Sequence, residues 1–243
     1  MPIAQKCDLH PESGENSCMN CGVKALSLLK DLTFEELELI NIDRRMELFA
    51  PGEKIFEEGT TSRGLYCLKT GKVKIVRSGL LENDPIVALK KPVDFIGLKA
   101  LVLEKNHAST AIALEPCSIC LIERDHFLQV VQNNNDLSLK VMQLLSKELE
   151  EADQRMVDLT QKHLRGRMAD ALLLLLNRYG TTSDNKTLDI QMKRADMAAL
   201  ANMTQANAIR ILSDFSKENL LEIEKREIKI LQLERLQKIS QLG

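Results

Sequence analysis

The chain has 243 residues, 44% of them hydrophobic, and a formal charge of −2, which supplies material for two packed cores and excludes a disordered chain or one coated in positive charge. Its longest apolar run, 171–176, is too short to cross a bilayer, and residues 2–9 lack the basic and apolar regions of a signal peptide. No membrane partner is therefore expected, and a cytoplasmic location is.

Residues 1–30 read as a cysteine-bearing arm, polar from Cys7 to Cys21, and a short helix is expected over 33–41. From Arg45 to about Glu123 the chain shows short β-branched runs punctuated by Gly and Pro, at 54–56, 65–68, 72–76, 86–89, 109–114 and 118–122. Closely spaced short strands predict an antiparallel β-roll within residues 31–135. Gly59, Gly71, Gly79 and Gly97 fall at its corners, where a positive φ is expected.

A long helix is predicted next over 136–160, within a segment assigned to 136–163. Met142, Leu145, Leu149, Ala152, Met156 and Leu159 recur at alternating spacings of three and four, while Lys147, Glu148, Glu150, Glu151, Asp153 and Gln154 occupy the other faces. So narrow a stripe predicts a coiled-coil seam and a homodimer, with packing on the chain's own roll as the alternative.

Residues 164–243 form the last predicted domain, and 13 Lys and Arg against 10 Asp and Glu make it the basic end of the chain. A helix over 164–179 leads through a polar loop, 180–186, into QMKRADMAALANMTQANAIRILSDF, residues 191–215. This stretch reads as two short helices joined by a tight turn, a helix-turn-helix. Ala195, Met197, Ala198 and Leu200 supply the apolar face of the first helix, Asn202 and Met203 the turn, and Ala208, Ile211 and Leu212 the inner face of the second. Thr204 is placed to cap the second helix. Gln and Arg can bond bidentately to adenine and guanine edges, so the outward face suits sequence readout. Candidate contacts to double-stranded DNA are Arg194, Thr204, Gln205, Asn207 and Arg210. Met203 and Ile209 are either core or methyl contacts, and a purely structural helix-turn-helix is the alternative use. Ile223, Ile228 and Ile230, set around charged 224–227, read as a β-hairpin wing.

The six cysteines point to metal, redox chemistry or burial. Cys18 and Cys21 have a spacing that lets two thiolates reach one metal centre. Cys117 and Cys120 share that spacing, but in a strand residues three apart face opposite ways, so Cys117 is assigned to the core and Cys120 to the other face. Cys67 reads as a buried thiol. Cys7, His10, Cys18 and Cys21 also form a Cys3His pattern compatible with tetrahedral zinc. There is no nucleophile–base motif, phosphate loop or clustered carboxylate pair, and His10, His107, His126 and His163 are scattered, so catalysis is not expected.

The order of arm, β-roll, long helix and winged helix resembles the CRP/FNR family of bacterial transcription regulators. Pro51-Gly52-Glu53, Phe56-Glu57-Glu58-Gly59, Leu65-Tyr66, Asp94-Phe95-Ile96-Gly97 and Arg210-Ile211-Leu212-Ser213-Asp214-Phe215 are similar to the family's motifs in the family's order. The resemblance implies an α+β chain made of a cyclic-nucleotide-binding-like roll, a dimerisation helix and a winged helix-turn-helix. It also implies a two-fold DNA operator and RNA polymerase as a partner. The ribose-binding Glu and phosphate-binding Arg of cyclic-AMP-binding members correspond to Leu98 and Ala108 here, so cyclic AMP is not expected. Lys99 and His107 read as solvated loop residues, with binding of some other anion as the alternative. The cysteine pattern resembles the oxygen-sensing FNR-like branch, which implies a [4Fe-4S] cluster on Cys7, Cys18, Cys21 and Cys120, with Cys67 as a substitute ligand. Zinc, thiol oxidation without metal, or an unidentified ligand in the roll are the alternatives. That branch places an acid in the dimer seam where this chain has Ala152, and a Glu on the recognition helix where it has Ala206.

Overall fold

The computed structural model describes residues 4–6, 21, 24, 27–79 and 84–243. Cys7, His10 and Cys18 lie outside the described residues. The chain divides into two compact units, Met1–Val76 with Ala88–Glu150, and Arg77–Val87 with Glu151–Gly243.

In the first unit, β1 (Ala4–Lys6) pairs antiparallel with β2 (Arg45–Phe49). Helix α1 (Phe34–Asn41) begins where Thr33 forms a capping box with Glu36, each side chain accepting from the other's backbone N–H. It buries Leu37 and Ile40, which lie on one face. Strands β3 (Lys54–Phe56), β4 (Gly64–Thr70), β5 (Val73–Val76), β6 (Ile86–Lys90), β7 (Phe95–Ile96), β8 (Thr110–Ala113) and β9 (Cys117–Glu123) complete two sheets. One runs β1-β2-β9-β4-β7 and the other β3-β8-β5-β6. Short α2 (Leu98–Val102) follows β7, and α3 (Arg124–Asn133) follows β9.

Strands β4 and β9 are covered on both faces, which is why they read as nearly continuous apolar runs. Tyr66, Leu68, Ile119 and Leu121 enter the core between the sheets, together with Phe56 and Val73. Leu65 and Ile122 point the other way, into a second core with Leu29, Ile40, Phe127 and Leu137. Three of the four corner glycines have the expected positive φ, at 85° for Gly59, 92° for Gly71 and 86° for Gly97. A Cβ at Gly71 would also lie 2.5 Å from Cys117 Sγ. Gly79 does not have a positive φ; a Cβ there would meet Pro85 Cδ at 2.8 Å, so close approach rather than backbone handedness requires it.

The long helix α4 (Asn135–Gln161) contributes to both units. Leu137 and Val141 are buried, and Leu144 and Leu145 pack partly against the outer core of the roll. Leu145 is thus shared with the chain's own core and is not a clean seam residue. By contrast Leu139, Met142, Leu149 and Met156 are between 52% and 63% exposed.

The second unit contains α5 (Leu164–Tyr179), α6 (Arg194–Leu200), α7 (Gln205–Lys217), the hairpin β10 (Leu221–Glu224) and β11 (Glu227–Ile230), and α8 (Leu233–Leu242). Helix α8 packs against α5. Strands β1, β2 and β7 and helices α2, α3 and α8 go beyond the elements expected from sequence. Ser138 follows α3 so closely that its hydroxyl donates to the Val131 carbonyl at 2.5 Å, and the α3–α4 break is a single residue that apolar periodicity does not reveal.

Candidate nucleic-acid interface and thiol site

Helices α6 and α7 are joined by Ala201 to Thr204, with Asn202 at φ 50° making the turn. Asn tolerates this left-handed backbone better than most side chains. Thr204 caps α7, its hydroxyl accepting from the Asn207 N–H at 3.4 Å. Ala208, Ile211, Leu212 and Phe215 are buried, and this stripe sets which residues face outward. Thr204, Gln205, Ala206, Ile209 and Arg210 are exposed and Asn207 is half-buried. Met203 is a core residue at 5% exposed, and Ile209 lies outside the core at 47%. In α6 the buried residues run unbroken from Asp196 to Leu200, whereas Ala195 is half-exposed and not a core residue.

Three arginines hold the backbone around this helix pair. Arg155 of α4 donates to the Leu200 carbonyl at 2.7 Å, and Arg167 of α5 donates to the Asn202 carbonyl at 3.1 Å. Arg194 donates through Nη2 to the Lys225 carbonyl at 3.0 Å, which ties α6 to the tip of the hairpin, while its Nη1 is buried without a hydrogen-bond partner. The hairpin tip carries exposed Lys225 and Arg226, two cations that the sequence reading did not select. Their signal was present as a Lys-Arg pair between the two runs of alternating Ile.

In the roll, His107 is 3% exposed, not solvated, and stacks on Phe56 at 3.7 Å and 9°. Burial holds its imidazole below the ordinary His range, and its Nε2 has no hydrogen-bond partner. Tyr66 lies beside it at 6.3 Å between ring centres, its hydroxyl pushed up to about 12 by burial. Lys99 is exposed and engaged by Glu148 of α4 at 3.3 Å, as is Lys90 at 2.6 Å. Burial would raise the Glu148 carboxyl, but the two lysines outweigh it and hold it below the usual range. Leu98 is buried and Ala108 is exposed; neither offers a charge to a phosphate or a ribose acceptor.

The cysteines separate as their strand positions require. Cys117 lies in the core between the sheets, and burial pushes its thiol up to about 11. Cys120 is buried on the opposite face, and Arg44, itself 6% exposed, donates through Nη1 to its sulfur at 2.9 Å. Arg44 Nε also donates to Asn41 Oδ1 at the end of α1. Cys67 is half-buried and Cys21 is half-buried, its carbonyl accepting from the Lys24 N–H. Among the described residues no group of three or more His, Cys, Asp or Glu converges on a metal position. The cationic donor at Cys120 is compatible with a thiolate ligand there.

Two family models match the chain: a cyclic nucleotide-binding domain over residues 46–134 and a Crp-like helix-turn-helix domain over 166–239. The chain is 26% identical over 218 residues to a cyclic AMP receptor protein of Thermus thermophilus, covering 90% of this chain and 98% of that protein. It is 25% identical to the fumarate and nitrate reduction regulatory protein of Vibrio cholerae, over 88% of this chain and 86% of that one. Its fold is similar to that of FixK2 from Bradyrhizobium japonicum, with a TM-score of 0.72 and 22% identity over 80% of this chain and 96% of that chain.

Proposed function

Since the chain belongs to the CRP/FNR family of transcription regulators, we propose that it is a cytoplasmic homodimer that reads a two-fold DNA operator under the control of a cysteine-ligated iron–sulfur cluster. The observation that carries the DNA-reading part is the division of α7 into a buried face and an exposed face bearing Gln205, Ile209 and Arg210. In this reading Gln205 and Arg210 meet base edges, and Thr204 and Asn207 lie near phosphate. Arg194 supports the surface through the hairpin tip, where Lys225 and Arg226 add phosphate contacts.

The exposed apolar stripe of α4, with Met142, Leu149 and Met156 seven residues apart, supports the dimer. Ala152 and Leu159 complete the seam. RNA polymerase is the partner that the DNA-bound dimer would act on.

Cys120, with a buried arginine donating to its sulfur, supports the sensing part. With Cys18, Cys21 and a fourth thiolate from Cys7 or Cys67, it would make the four-thiolate set that a [4Fe-4S] cluster takes. The bound cluster supplies a redox-labile centre, and the chain supplies the thiolates and the charge that balances them. Cyclic AMP is not the ligand in this reading, because the positions of Leu98 and Ala108 lack the groups to hold it.

Anaerobic purification followed by an absorption spectrum and iron, sulfide and zinc analysis, repeated in air, tests this. A brown protein absorbing near about 400 nm and bleaching in air is the expected result. A colourless protein with stoichiometric zinc would overturn the cluster in favour of a structural site on Cys7, His10, Cys18 and Cys21. One with no metal would overturn it in favour of thiol oxidation or a ligand in the roll.

A further inference from the structure

The antiparallel pairing of β4 with β9 sets Cys67 directly opposite Cys120. Opposite residues project from the same face of a sheet, here the outer one, where Cys67 packs against the core that contains Leu65, Ile122 and Phe127. The neighbouring Tyr66, Leu68, Ile119 and Leu121 all face the other way. Two thiols thus share one patch, with the Arg44 guanidinium against one of them.

The pairing type follows from the turn before β7. The Leu68 N–H donates to the Asp94 carbonyl at 3.1 Å, and the Leu68 carbonyl accepts from the Val93 N–H at 3.0 Å. Leu68 therefore turns its polar backbone groups away from β9, and Cys67, one residue earlier, turns its own toward it. Cys67 and Cys120 form a hydrogen-bonded pair, a geometry in which opposite Cβ atoms typically stand about 5.5 Å apart. A disulfide holds them at about 3.8 Å, so oxidation would have to pull the strands together. A metal ion with bonds of about 2.3 Å to each sulfur spans the wider gap without that movement. Arg44 favours the same outcome. A buried cation is stabilised by an anionic metal-bound thiolate, whereas a disulfide would leave it donating to a weak neutral acceptor.

We propose that Cys67 and Cys120 form a two-thiolate ligand pair for a thiophilic metal centre, so that the roll contributes two ligands and not one. The pair rests on the cluster reading only for which metal fills it in the cell; if that reading holds, Cys67 and not Cys7 is the second partner of Cys120.

Two measurements test it on the full chain. In a variant with Cys7, Cys18 and Cys21 all changed to Ser, anaerobic titration with Cd2+ should produce a saturable thiolate-to-metal charge-transfer band. That band should be lost in Cys67→Ala and in Cys120→Ala, and kept in Cys117→Ala. Arg44→Met should weaken binding roughly tenfold, as loss of a group supporting a ligand does. Circular dichroism and melting on each variant identify any that fail to fold, for which Cys→Ser is substituted. No band, or a band indifferent to Cys67, would overturn the pair. In the otherwise native chain purified without air, Cys7→Ser should keep its iron and sulfide while Cys67→Ala loses them; the reverse pattern would overturn the role in the cluster. If the native chain holds no iron but the Cd2+ result stands, the cluster reading fails and the dithiol site does not.

Discussion

At the scale of single residues, the exposed end of α7 and the buried ring in the roll make opposite demands. Arg210 has its side chain in solvent, so truncation costs the fold little. Arg210→Ala should lose about 1 to 3 kcal/mol on the preferred operator and relax one base position, as measured by binding to a panel of single-base operator variants. Uniform weakening across the panel would make Arg210 a phosphate clamp instead. His107 is the reverse case, a polar ring held in an apolar stack. Its ordinary value is 6.5 and burial lowers it in the fold. Below that ordinary value the unfolded chain takes up a proton that the folded chain refuses, so stability present above it is lost as the pH falls. His107→Phe keeps a ring against Phe56 and removes the titration. Urea midpoints at about pH 5 and about pH 8 should therefore lie closer together in the variant than in the native chain. An equal acid loss in both would assign the effect to other groups.

At the scale of elements, α4 has two faces with different fates. Leu137 and Val141 bury against the roll, while Met142, Leu149 and Met156 remain exposed. Leu149→Asp combined with Met156→Asp would place like charges across the proposed two-fold seam, so sedimentation at micromolar concentration should show a monomer with an intact fold. Because Ala152 brings no charge into that seam, the native chain should sediment as a dimer even with all iron removed. A native chain that is mostly monomer under those conditions would count against the seam. Helix α4 was legible because its stripe is long and its charges are on the other faces. Helix α3 was not, since ten residues with two buried positions give a weak periodicity next to a stronger one. Strand β7 is only two residues long and is held by β4, so it has no local signature at all.

At the scale of the whole molecule, the proposed dimer would bring two copies of α7 to successive major grooves on the same side of the duplex. An insertion of about 5 base pairs between half-sites should abolish specific binding in a gel-shift assay, and one of about 10 should restore part of it. Tolerance of the shorter insertion would mean that the two recognition helices bind independently.

The helix-turn-helix, the wing and the alternation of Cys117 against Cys120 could all be read in one dimension, because helical and strand periods and turn chemistry act over a few neighbouring residues. The placement of Cys67 opposite Cys120 could not, and neither could the burial of His107 or the arginine donors at Leu200, Asn202 and Cys120. Those depend on which distant segments pair and in what register. Register is set by how two whole sheets bury their apolar faces, and no short window of sequence contains that information.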